Sequence, residues 1–186
     1  RSTIASGQLA RFYGFPYRSS NTNASNSVDA QAVYESSMSL WATVMSHANL
    51  VNHAAGWLES GLTASFEKLI IDAEMLQIIS ESLKPIVVNP ENLGVETIKS
   101  VGPGGHFFAT DQTMSSYATE FYTPMISDWN NFDNWEKNGS VTTIERANKA
   151  WKTLLKEYKQ PKLDQSVNET LIAFVEKRKE EINNAH

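Results

Sequence analysis

The 186-residue sequence contains no cysteine, which excludes disulfides, thiolate nucleophiles and cysteine-ligated metals. It has no apolar run near the roughly 18 residues of a membrane helix, and no signal-peptide pattern opens it. Basic residues are in the minority: 16 Lys and Arg against 21 Asp and Glu leave a net charge of −5. That balance argues against nucleic acid as a partner, which requires a basic face. Histidines are few as well, and His47, His53, His106 and His186 show no His-x-x-x-His spacing, so no metal site is expected. A nucleophile elbow, a phosphate loop and a recognisable triad order are all missing, and no side chain is assigned as a catalytic residue. An initiating methionine is missing too. The sequence opens at Arg1 inside a helical pattern and reads as a fragment or a processed product. Cytoplasmic residence fits the lack of cysteine.

What is present is 41% apolar and 20% charged, ordinary for a globular chain long enough to bury a core. Ser2 is placed as the cap of a helix that ends near Gly14, with Pro16 preventing continuation. A brief extended segment over 15–18 follows, then a polar loop over 19–27 that reads as mobile. Asp29 is expected to cap a helix over 30–47, with Tyr34, Met38, Trp41, Met45 and Ala48 as one buried stripe. Asn49 to His53 reads as a buried parallel strand, and residues 66–83 as a helix with a wide apolar face. Short extended pieces are expected at 86–88 and 107–109, around a helix over 93–100. Asp111 is placed as the cap of a helix running to Tyr122. The Thr142/Glu145 pair is a capping box opening a helix that Pro161 breaks, and Asp164 caps the last one. Alternating helices and strands followed by helices alone imply α/β architecture with parallel strands. A complete eight-stranded barrel needs about 250 residues, so at most part of one is present. Such a part exposes a strand edge that the remainder of the barrel, or a second copy of the chain, must cover.

Two clusters carry the chemistry. In the first, the strand ending at His53 opens into Ala54, Ala55, Gly56, Trp57 and Glu59, where carboxyl ends of parallel strands gather functional groups. His53 is either a ligand for an anion or carboxylate, or a hydrogen-bonded structural group. Trp57 is either a core aromatic or one wall of a cage for a cation, worth about 0.5–2 kcal/mol per ring. Glu59 either complements a cationic substrate or caps a helix beginning near Leu62. The second cluster is Gly102, Pro103, Gly104, Gly105 and His106. It offers backbone N–H groups and close approach to a bulky ligand, or is a plain tight turn; its spacing is not that of a dinucleotide fingerprint.

Taken together, several motifs resemble the carboxyl-terminal part of the trimethylamine:corrinoid methyltransferase family. They are His53-Ala54-Ala55-Gly56-Trp57-Leu58-Glu59, Gly61-Leu62-Thr63-Ala64-Ser65-Phe66-Glu67-Lys68, Asp72-Ala73-Glu74-Met75 and Val101-Gly102-Pro103-Gly104-Gly105-His106-Phe107. Leu9 to Gly14, Thr119 to Tyr122 and Glu145 to Lys152 are similar to it as well. The resemblance implies a cytoplasmic (β/α)₈ TIM barrel, with residues 1–128 supplying its last strands and helices and residues 129–186 a helical extension packed on it. It also implies transfer of a methyl group from a methylated amine to the cobalt of a corrinoid (cobalamin) carried by a separate protein. With only standard residues, the chain resembles the branch without pyrrolysine, whose members act on quaternary amines such as glycine betaine. His53, Trp57 and Glu59 are then expected at the substrate, and Gly102, Gly104, Gly105 and His106 at the mouth where the corrinoid enters. The rival readings are a non-catalytic betaine-binding protein and a structural remnant of the barrel.

Overall fold

Capping chemistry places most of the helices. The computed structural model describes residues 1–184; His186, weighed above among the histidines, lies outside them. Helix α1 (Ser2–Tyr13) ends where Gly14 adopts the left-handed conformation at φ 70°, a position that glycine fills without a Cβ penalty. Its amino-terminal cap is Arg1, so Ser2 is the first helical residue and not the cap expected. After β1 (Arg18–Ser20), Asp29 caps α2 (Ala30–Met45) by accepting from the N–H groups of Gln31 and Ala32. Strand β2 (Leu50–Asn52) lies parallel to β1, with Arg18 opposite Leu50 and Ser20 opposite Asn52. A second, antiparallel pair joins β3 (Trp57–Leu58) to β4 (Thr63–Ala64) around a 3₁₀ turn at Glu59–Gly61. Ser65 then caps α3 (Phe66–Ser82), the longest helix of the first part of the chain.

Beyond α3 come short helices: α4 (Pro90–Leu93), α5 (Val95–Val101), α6 (Asp111–Ser116) and α7 (Phe132–Lys137). The extended pieces expected at 86–88 and 107–109 are not strands, and α6 is capped by Thr110, not Asp111, and stops well short of Tyr122. A strand must find a partner to exist, whereas a helix satisfies its own backbone, and these two segments find none. The capping box does form: Thr142 N–H donates to the Glu145 carboxylate at 2.7 Å and Glu145 N–H to Thr142 Oγ1 at 3.3 Å. It opens α8 (Thr143–Glu157), and Asp164 caps α9 (Gln165–Asn183) as expected. The chain is thus mostly helical with few strands and forms two compact units, one over Arg1–Lys152 and one from Thr153 onward.

The core of the first unit holds Ile70 and Ile71 of α3, Ile126 and Ala147, with Val28, Ala150 and Trp151 packed against them. Helix α2 contradicts the stripe read from its periodicity. It buries Ala32, Ser36, Leu40 and Thr43, while Tyr34, Met38 and Met45 are more than half exposed. Small residues let α2 approach the rest of the unit closely, and the bulky side chains stay outside. The polar loop expected to be mobile is also built in: Asn21, Asn23 and Ser25 are buried.

Candidate functional site

Parallel pairing brings the carboxyl ends of β1 and β2 side by side, so the segments that leave them, 21–25 and 53–61, meet. They are knitted together by backbone and amide hydrogen bonds. Asn21 N–H donates to Asn52 O (3.2 Å), Glu59 N–H to Ser25 O (2.9 Å) and Ser60 N–H to Asn23 O (2.7 Å). The side-chain amide of Asn21 donates to Ala54 O at 2.9 Å, and that of Asn23 to Trp57 O at 2.8 Å and Ser36 Oγ at 3.2 Å.

The backbone of the second segment is unusual. His53 (φ 49°), Glu59 (φ 50°) and Ser60 (φ 57°) all sit in the left-handed region, with Gly56 at φ 88° and Gly61 at φ 94°. Non-glycine residues hold that conformation at a cost of about 1–3 kcal/mol each, and such outliers cluster at ligand sites. One result is that the His53 and Trp57 rings meet edge to face, 5.6 Å between centroids at 90°. His53 is exposed and Trp57 half-buried, so the pair stands at the surface of the unit. Glu59 is exposed and its carboxylate accepts from Thr63 Oγ1 at 2.9 Å. It does not cap a helix near Leu62, because α3 begins later and Ser65 caps it.

Three more ionisable groups of α3, unassigned by sequence reasoning, are buried: Lys68, Asp72 and Glu74. Lys68 Nζ lies 2.5 Å from Asp72 Oδ1, with neither side chain exposed, and also donates to Ser36 Oγ at 2.8 Å. Asp72 Oδ2 accepts the Gly56 N–H at 2.9 Å, directly beneath the His53–Trp57 turn. Burial pushes the Asp72 carboxyl up, against the pull of Lys68, the Gly56 N–H and Asn21. The legible signals were a Lys and an Asp at i, i+4 inside an apolar helix, and Asn-x-Asn-x-Ser with a period of two at 21, 23 and 25.

Glu67 and Glu74, both on α3, are structural. Glu67 accepts from Asn148 Nδ2 and Trp151 Nε1, both at 2.7 Å, and these bonds, Asn148 first, hold its carboxyl down to about 2. Phe66 stacks on Trp151 at 4.9 Å beside them. Glu74 binds the N–H groups of Met125, Ile126 and Ser127 at 2.7, 3.0 and 3.0 Å.

The glycine cluster follows α5. Gly102 (φ 68°) and Gly104 (φ 76°) face open space where a Cβ would stand, and Gly105 packs on Val101. His106 is exposed and tilts against Phe108 at 5.7 Å. Among the described residues no hydrogen bond or ring contact joins His106 to the His53–Trp57 pair. No helix of the described residues is long and apolar enough to cross a membrane.

Comparison with known proteins agrees with this arrangement of motifs. The chain is 40% identical over 179 residues to a glycine betaine methyltransferase of Desulfitobacterium hafniense (strain Y51), covering 96% of this chain and 37% of that protein. It is 33% identical over 178 residues to the trimethylamine methyltransferase MttB2 of Methanosarcina mazei, covering 94% and 35%. A trimethylamine methyltransferase MttB of Methanosarcina barkeri (strain Fusaro) is 32% identical over the same shares of the two chains. The chain therefore spans little more than a third of the length of these relatives. The family model for trimethylamine methyltransferase (MTTB) matches residues 1–183, and the chain belongs to that family.

Proposed function

We propose that this chain is the carboxyl-terminal part of a cytoplasmic methyltransferase that takes a methyl group from a quaternary amine such as glycine betaine. The acceptor is the cobalt of a corrinoid carried by a separate protein. The complete enzyme is a (β/α)₈ barrel, to which residues 1–128 contribute the last strands and residues 129–186 a helical extension; the rest of the polypeptide, or a second copy, covers the open strand edge. The observation that carries the substrate reading is the His53–Trp57 edge-to-face pair on left-handed backbone at the ends of two parallel strands. Greater identity to a betaine methyltransferase than to the trimethylamine enzymes quoted supports the quaternary amine.

The roles follow from charge. A quaternary nitrogen is already cationic, so it departs with the C–N electron pair as a neutral tertiary amine and no general acid is required. The Trp57 face attracts the trimethylammonium group, and Glu59, bonded through one oxygen to Thr63, adds negative charge nearby. His53 anchors the betaine carboxylate and fixes the molecule's direction, which is the positioning that such a transfer demands. The corrinoid supplies a cobalt nucleophile strong enough to make a protein nucleophile unnecessary. The open backbone at Gly102 and Gly104, with Gly105 and His106 beside it, fits the approach of a bulky planar group.

The test is methyl transfer to reduced cobalamin by the native-length protein, offered glycine betaine, trimethylamine and tetramethylammonium. Cobalt methylation with betaine alone is expected. Binding of betaine without methylation, even with corrinoid protein supplied, would replace the enzyme by a binding protein. His53→Ala is expected to weaken betaine binding about tenfold or more while changing tetramethylammonium binding little; equal losses sink the carboxylate role. Trp57→Leu is expected to cost quaternary ligands about 1–2 kcal/mol relative to a neutral isostere, measured by calorimetric titration of both.

A further inference from the structure

The His53–Trp57 pair does not hold itself in place. Three residues lie between them in the chain, and the backbone from Ala54 to Trp57 is gripped at three points by side chains of the 21–25 segment and of α3. Asn21, after β1, holds Ala54 O; Asp72, in α3, holds Gly56 N–H; Asn23 holds Trp57 O and reaches back to Ser36 of α2. All three gripping side chains are buried, with Asn21 1%, Asn23 3% and Asp72 0% exposed. Lys68 completes the set by joining Asp72 to Ser36. Buried amides and an ion pair are costly to assemble, and this many converging on one four-residue turn calls for an explanation other than cohesion.

We infer that Asp72, with Asn21 and Asn23, is a positioning residue for the substrate site, and that what the site needs from Asp72 is an acceptor for the Gly56 N–H and not a negative charge. This rests on the substrate reading of His53 and Trp57 given above. Lys68 is the partner that lets an acceptor be buried there: an ammonium and a carboxylate satisfy one another and Ser36, while the second carboxylate oxygen is left for the turn. Gly56, at φ 88°, lies close against α3, with Leu69 Cβ 3.2 Å from where its own Cβ would stand.

Charge and acceptor can be separated. The double substitution Lys68→Met with Asp72→Asn removes both charges and keeps an oxygen toward Gly56. Lys68→Met with Asp72→Leu removes both charges and the acceptor. Neither variant leaves an unpaired buried charge. Two readouts follow. The first is the ring-current shift that Trp57 imposes on the His53 imidazole protons by NMR, which reports the edge-to-face geometry without any ligand. The second is glycine betaine affinity by calorimetry.

The Asn variant is expected to keep the ring-current shift and to bind betaine within threefold of the unsubstituted protein. The Leu variant is expected to lose most of the shift and at least tenfold in affinity, with its far-ultraviolet circular dichroism unchanged. Retention of the shift in a folded Leu variant, or its loss in both variants, overturns the inference. If the unsubstituted protein binds no betaine, the substrate reading fails, and the ring-current comparison still decides the positioning role. Should the Leu variant not fold, Asn23→Leu, which deletes only the donor to Trp57 O and Ser36, carries the same expectation and the same refutation.

Discussion

Lys68→Met alone is expected to destabilise the protein by about 3–5 kcal/mol at neutral pH, because it strands the Asp72 carboxylate in a site with no exposure. The loss should depend on pH in a direction that identifies its cause. Burial already pushes the Asp72 carboxyl up from the ordinary 3.8, and removing the ammonium takes away the largest force opposing it. Folded Asp72 then keeps a proton over a pH range in which the unfolded chain has lost it. The folded state binds more protons, so stability falls as pH rises above about 4, by up to about 1.4 kcal/mol per unit until the folded value is passed. Urea unfolding at pH 5 and pH 8 checks this. A variant equally stable at both, or as stable as the unsubstituted protein, would show that Lys68 and Asp72 are not a sealed ionic unit.

Glu74→Gln is expected to cost about 3 kcal/mol, through a different failure. Burial pushes the Glu74 carboxyl up, but donors on Ser127, Ile126 and Met125 outweigh it and hold the group below its usual 4.5. A glutamine offers one oxygen to donors that now meet both, and its NH₂ faces N–H groups it cannot serve; each charged hydrogen bond lost is worth about 1.5–3 kcal/mol. The segment over 125–127, which carries core residue Ile126, should loosen first, visible as faster amide exchange there. In the unsubstituted protein, Glu74 and Glu67 both have depressed folded values. Their stabilisation is therefore fully present above about pH 4.5 and is lost as pH falls toward the folded value, about 2 for Glu67. Glu74→Gln should unfold with a shallower acid limb; an unchanged limb would assign acid sensitivity elsewhere.

Local signals were legible in the sequence and non-local ones were not. Asp29, Thr142 and Asp164 sit at or beside the helix starts they mark, because a cap needs only the next three residues. The segments 86–88 and 107–109 have strand-like composition, yet pairing depends on what lies alongside, which no window reveals. The stripe on α2 failed for a related reason: periodicity says that a helix has two faces, and the buried one was the small-residue face of Ala32 and Ser36. The contact between His53 and Trp57 falls within five consecutive residues, which keeps it local. Asn21 and Asn23 fall in a stretch that reads as a mobile polar loop, because buried amides and exposed ones are spelled alike. Lys68 and Asp72 are spelled like any i, i+4 ion pair of a helix, and only their complete burial sets them apart.

The bulky side chains left outside α2 also have a calorimetric meaning. This chain already exposes large apolar side chains: Tyr34, Met38 and Met45 are more than half exposed, and so are Phe12, Leu62, Ile86, Val88 and Phe108. Unfolding therefore uncovers less new apolar surface than its length suggests, and the heat-capacity increment falls below the usual ~12–15 cal/mol/K per residue. The stability curve of the isolated chain is correspondingly flat, its urea dependence shallow, and its melting spread over a wide range of temperature.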